Sequence, residues 1–86
     1  MKAGRELPIP PAAQRSSDAA EIISVWISDG APSVVVRSGI WDDPASWGIL
    51  LADILGHIVK AHANTGGIGP DVFRRRVLEG FRAETG

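Results

Sequence analysis

Between Pro44 and the stretch "TGGIGP" at residues 65–70, apolar residues return every three or four positions: Trp47, Leu50, Leu51, Ile54, Ile58 and Ala61. This is the period of an α-helix with one apolar stripe, and such a helix needs a surface to lay that stripe against. The spacing predicts a long helix from Pro44 to about Asn64, ended by the glycines expected beyond a C-cap. The rest of the chain has to supply the covering layer.

The helix begins inside "WDDPASWG", residues 41–48. Asp43 suits the N-cap, because its carboxylate can accept backbone N–H groups that the first turn leaves unpaired. Pro44 suits the first helical position, where a missing N–H costs nothing and φ is preset. Asp42 adds negative charge near the positive end of the helix dipole. Trp41 and Trp47 straddle the cap and are placed to clasp the entering chain, at a spacing one residue longer than the usual hydrophobic staple. Beside the stripe, Gly48, Ala52 and Gly56 recur every four residues, a small-residue ridge that would let another element approach closely.

Pro70 opens a second helix running to about Glu84, with Phe73, Val77, Gly80 and Phe81 expected inward. Its run "FRRR" does not make a nucleic-acid stripe. Consecutive helical residues point about 100° apart, and Glu79 stands within pairing distance of Arg75 or Arg76.

Upstream, "EIISVWIS" at residues 21–28 alternates β-branched and aromatic side chains, with Ile23, Val25 and Ile27 on one face and Ile22, Ser24, Trp26 and Ser28 on the other. "DGAPS" at 29–33 reads as a turn and "VVVR" at 34–37 as a second strand, giving a hairpin. Residues 1–17 hold Pro8, Pro10 and Pro11 and read as an extended arm with polyproline II character, before a frayed turn at residues 16–20. "RELPIPP" matches a pattern read by SH3-type grooves, but docking on the protein's own body or plain disorder explains the arm as well.

Eighty-six residues form one small domain with a thin core, here residues 18–86 behind the arm. Hydrophobic residues at 44% and charged residues at 22% are ordinary for a soluble globular chain. Nine Lys and Arg stand against ten Asp and Glu, so no global charge would hold the protein on nucleic acid or an anionic membrane. The longest apolar run, "GILLA", is far short of a membrane span. The absence of cysteine removes disulfides and thiolate chemistry and fits a reducing cytoplasm.

Candidate chemistry is sparse. Asp42 and Asp43 are adjacent on a chain turning into a helix, which seldom aims two carboxylates at one atom. Ser46 and His57 would lie about 16 Å apart along one helix, out of reach for a nucleophile and its base. Asp53 and His57 are spaced for a structural i, i+4 contact, and His62 lies well around the helix from His57. No catalytic residue, metal ligand or cofactor is therefore assigned.

With "ELPIPPAA" at 6–13, "VWI" at 25–27 and "GIWDDPASWGILLADI" at 39–54, the chain resembles a family of short bacterial proteins classed as a domain of unknown function. The resemblance implies a stand-alone soluble bacterial protein and transfers no functional residues. The expected fold is α+β: an antiparallel hairpin packed on a long central helix, with a C-terminal helix completing the layer. A lone two-stranded sheet is marginal, so self-association is the natural remedy. The leading expectation is a non-enzymatic, homodimeric interaction or regulatory module in the cytoplasm, with Ile22, Trp26 and Val35 as the interface, an unidentified protein partner allowed, and neither nucleic acid nor membrane as partner. The alternative is a small-ligand binder or enzyme with a pocket near Trp41, Asp42, Trp47 and His57.

Overall fold

The computed structural model describes residues 4–63 and 66–86. The chain divides into two compact units, Met1–Ile40 and Trp41–Gly86. Together they hold a short helix, an antiparallel hairpin and two longer helices, an α+β chain.

In the first unit, β1 (Ile23–Ser28) pairs antiparallel with β2 (Ala31–Val36), in a register running from Ser28 opposite Ala31 to Ile23 opposite Val36. The loop is Asp29 and Gly30, both at positive φ, 54° and 80°. This is the type I′ pattern, whose twist matches that of the flanking strands and which Asp-Gly adopts readily. The expected turn over 29–33 is therefore too long, and Ala31, Pro32 and Ser33 belong to β2. Pro32 is tolerated because it sits in a pair that exchanges no backbone hydrogen bonds, with its nitrogen on the open side of the strand.

The arm is not extended throughout. Residues Pro11–Gln14 form a single helical turn, α1. Pro10 and Pro11 preset φ for a helix start, the two alanines that follow are strong helix formers, and the Gln14 side chain donates back to Ile9 O at 2.7 Å. A further turn follows, with the Ala19 N–H on Ser16 O and the Asp18 N–H on Ser16 Oγ.

The second unit is a helical pair, α2 (Ala45–Ala61) and α3 (Pro70–Thr85). Asn64, the expected last residue of the long helix, and Thr65 lie outside the described residues. Beyond them, Gly66 and Gly67 both take positive φ, 75° and 70°, a succession that only glycine adopts without strain. Val59 of α2, at 4% exposure, is the one buried hydrophobic residue among those described.

The covered side of α2 carries Leu50, Ile54, Leu55 and Val59, whereas Leu51 and Ile58 of the expected inward stripe are exposed. On α3, Phe73, Val77 and Leu78 are half-buried, and Gly80 and Phe81, expected inward, are exposed. The ridge of Gly48, Ala52 and Gly56 is not a close contact. A methyl group added at either glycine would meet no atom within 4 Å.

Candidate functional site

In the hairpin, residues opposite one another share a face, so the register sorts the side chains into two sets. One face carries Ile22, Ser24 and Trp26 with Ser33, Val35 and Arg37, and contains the expected interface residues. Ile22 is half-buried, Trp26 is 38% exposed and Val35 is 72% exposed. The Trp26 indole N–H donates to Ser24 Oγ at 3.0 Å, and Arg37 Nε–H donates to Glu21 O at 2.9 Å, which fixes two side chains of this face.

The other face is wholly apolar: Ile23, Val25 and Ile27 opposite Val36, Val34 and Pro32. The sequence places it inward. Val25, Ile27, Val34 and Val36 are nonetheless exposed, so the open apolar surface is wider than the expected set of three residues.

The arm returns along β1. The Arg5 guanidinium lies 5.8 Å from the centroid of the Trp26 ring, within the range of a cation–π contact. Between the arm and β1 runs an open groove of about 1110 Å³, lined on one side by Arg5–Pro10 and on the other by Ile23–Ile27. Leu7 and Ile9 remain exposed, so the arm offers the solvent apolar side chains rather than sealing the hairpin.

The remaining candidates belong to the second unit. Asp43 Oδ1 accepts the Ala45 N–H at 3.0 Å, and Asp43 O accepts the Ser46 N–H at 3.0 Å. Pro44, immediately before the hydrogen-bonded body of α2, already has helical dihedrals and offers no capping side chain. Trp41 and Trp47 meet edge to face with ring centroids 5.1 Å apart. His57 lies ten positions beyond Trp47 on α2, about 15 Å along its axis, so the Trp pair and His57 are not brought together.

His57 Nδ1–H donates to Asp53 O at 2.9 Å and stands 3.5 Å from Asp53 Oδ2, both side chains well exposed. Arg76 pairs with Glu79 one turn along α3. Among the described residues no group of three or more His, Asp or Glu side chains converges as a metal site would. No described helix is long and apolar enough to cross a membrane.

Two contacts have no counterpart in the sequence reading: Arg5 over Trp26, and the His62 ring stacked on Phe73 with centroids 4.8 Å apart. Each joins residues far apart in sequence through a bend whose direction no periodicity encodes. The one usable signal was the Asp-Gly dipeptide, which, taken as the whole turn, puts Pro32 in a strand.

The sequence profile of the family described as Domain of unknown function (DUF5076) matches residues 6–86. Among solved structures, the chain is similar to one described as a "putative pyruvate dehydrogenase" from the photosynthetic bacterium Rhodopseudomonas palustrus CGA009. The two share 31% identity with a TM-score of 0.72, over 93% of this chain and 92% of that one. No curated protein matches.

Proposed function

This chain belongs to the DUF5076 family, and we propose that it is a non-enzymatic, homo-oligomeric interaction or regulatory module whose contact surface is the hairpin. The observation that carries the reading is the imbalance of apolar surface. A single hydrophobic residue is buried among those described, while Val25, Ile27, Val34, Val35 and Val36 are exposed on the two faces of a two-stranded sheet. Such a hairpin is marginal alone, and an apolar surface of this kind marks an interaction site. Charge adds nothing that would draw nucleic acid, since the net charge is −1, and a cysteine-free chain suits the cytoplasm.

The enzyme reading takes its support from the likeness to the Rhodopseudomonas protein alone, since the pocket it expects near Trp41, Asp42, Trp47 and His57 would need residues that α2 holds about 15 Å apart. It asks a catalytic group to work from an exposed helix face, where Asp53 and His57 already engage each other. The module reading needs no such convergence. Sedimentation velocity of the intact chain tests it: a dimer or larger closed assembly at micromolar concentration is expected, and a protein that stays monomeric at high concentration overturns the proposal.

A further inference from the structure

We propose that β1 is the strand through which two copies of this chain join. Its outer edge pairs antiparallel with the same edge of a second copy, with Val25 opposite Val25 of the partner subunit and Ile23 opposite Ile27 of the partner subunit. The product is a four-stranded sheet with strand order β2-β1-β1-β2. The inference rests on the homo-oligomeric reading above and names where the contact lies.

The ladder pattern fixes which backbone groups are free for such pairing. The Arg37 N–H donates to Ile22 O at 2.8 Å, so Ile22 and Arg37 form a hydrogen-bonded pair. By alternation Ser24, Trp26 and Ser28 also bond inward to β2. Ile23, Val25 and Ile27 then aim their N–H and C=O groups away from β2, at the open edge. On the far side Pro32, Val34 and Val36 aim outward, and Pro32 has no N–H to offer. The two edges are therefore unequal: that of β2 is interrupted, and that of β1 has three donors and three acceptors.

Sheet edges that must stay single are commonly protected by charge or proline. β2 has its proline, and residues 22–28 contain neither a charge nor a proline. An uncharged edge can meet its own copy without like-charge repulsion, and the spacing of Ile23, Val25 and Ile27 is symmetric about Val25, as an isologous twofold contact requires. The groove along β1 is lined by Ile23–Ile27 and by Arg5–Pro10 of the arm but by no residue of β2, so a joining strand enters this groove and displaces the arm from it.

Amide hydrogen exchange resolved by residue, together with sedimentation, tests the inference on the intact chain. In the dimer the Ile23, Val25 and Ile27 amides are expected to exchange at least about 100-fold more slowly than those of Val34 and Val36, with the protection falling on dilution. Val25→Pro should abolish association, because it removes an outward N–H that the β1–β2 ladder does not use. Val34→Pro, at the matching position on the other edge, should leave association intact. A dimer whose Ile23, Val25 and Ile27 amides exchange freely overturns this edge assignment while sparing the homo-oligomeric reading. A monomer overturns both, and a dimer lost in Val34→Pro but kept in Val25→Pro assigns the contact to β2 instead.

Discussion

The His62 imidazole lies over the Phe73 ring, centroids 4.8 Å apart and planes 20° from parallel, and so links the residue that closes α2 to the first turn of α3. His62 Nδ1–H also donates to Ile58 O at 2.8 Å, which fixes the ring in the stacking orientation. A ring pair of this kind contributes about 0.5–1.5 kcal/mol beyond the area it covers. A double-mutant cycle over His62→Ala and Phe73→Ala is expected to return a coupling in that range by denaturant unfolding. Additive single losses would show that the stack does not hold the two helices.

The start of α2 gives a second test. Asp43 Oδ1 accepts a first-turn N–H, whereas Asp42 contributes only charge near the helix end. Asp43→Ala should lower stability by about 1 kcal/mol, and Asp42→Ala by less, in chemical melts of the two variants. A costlier Asp42→Ala would move the cap.

Gly48 and Gly56 yield a prediction whose sign reports on what lies against α2. Each glycine in a helix interior costs about 1 kcal/mol relative to alanine, and an added methyl group meets no atom within 4 Å at either position. Gly48→Ala and Gly56→Ala are therefore expected to raise the melting temperature. A loss of stability in either, accompanied by weaker self-association, would instead show that a second chain packs on the ridge.

His57 is expected to be dispensable. Its side chain is well exposed and its contacts are with Asp53 one turn back. His57→Gln should change stability by less than about 0.5 kcal/mol, the usual range for surface substitutions away from structural features. Loss of a cellular phenotype in a stably folded His57→Gln variant would restore the enzyme reading.

Local chemistry carried most of what was legible in the sequence. Asp-Gly with alternating Ile and Val gave the hairpin, and Asp43-Pro44 and Pro70 gave the helix starts within a residue. What was not legible depended on which neighbour each apolar group meets. The period of α2 defines a broad apolar stripe but not which part of it is covered: Leu55 and Val59 are covered while Leu51 and Ile58 are exposed. Pro32 read as turn chemistry because proline is rare in strands, and only the ladder register shows that its missing N–H falls on an open edge. α1 is too short for any period to register, and it rests on two prolines and two alanines.

The arm and the Trp26 face provide the last prediction. Arg5 stands over Trp26, an exposed cation–π contact that contributes about 0.5–1 kcal/mol, so Arg5→Ala should have a small effect on folding. Val35, on the same face, stays 72% exposed, so the arm does not account for the apolar character of that side. Trp26→Asp places a carboxylate opposite Ser33, diagonal to Val35 and in the wall of the groove beside β1, and a charge at a contact between two copies must be either desolvated or repelled by its twin. Sedimentation of this variant is expected to show a shift of at least about tenfold toward monomer, a change of roughly 1.4 kcal/mol in association free energy. Deletion of residues 1–10 should leave the dimer in place. If the deletion destabilises a wild type that is already monomeric, the arm is the cover of this face and self-association is not its role.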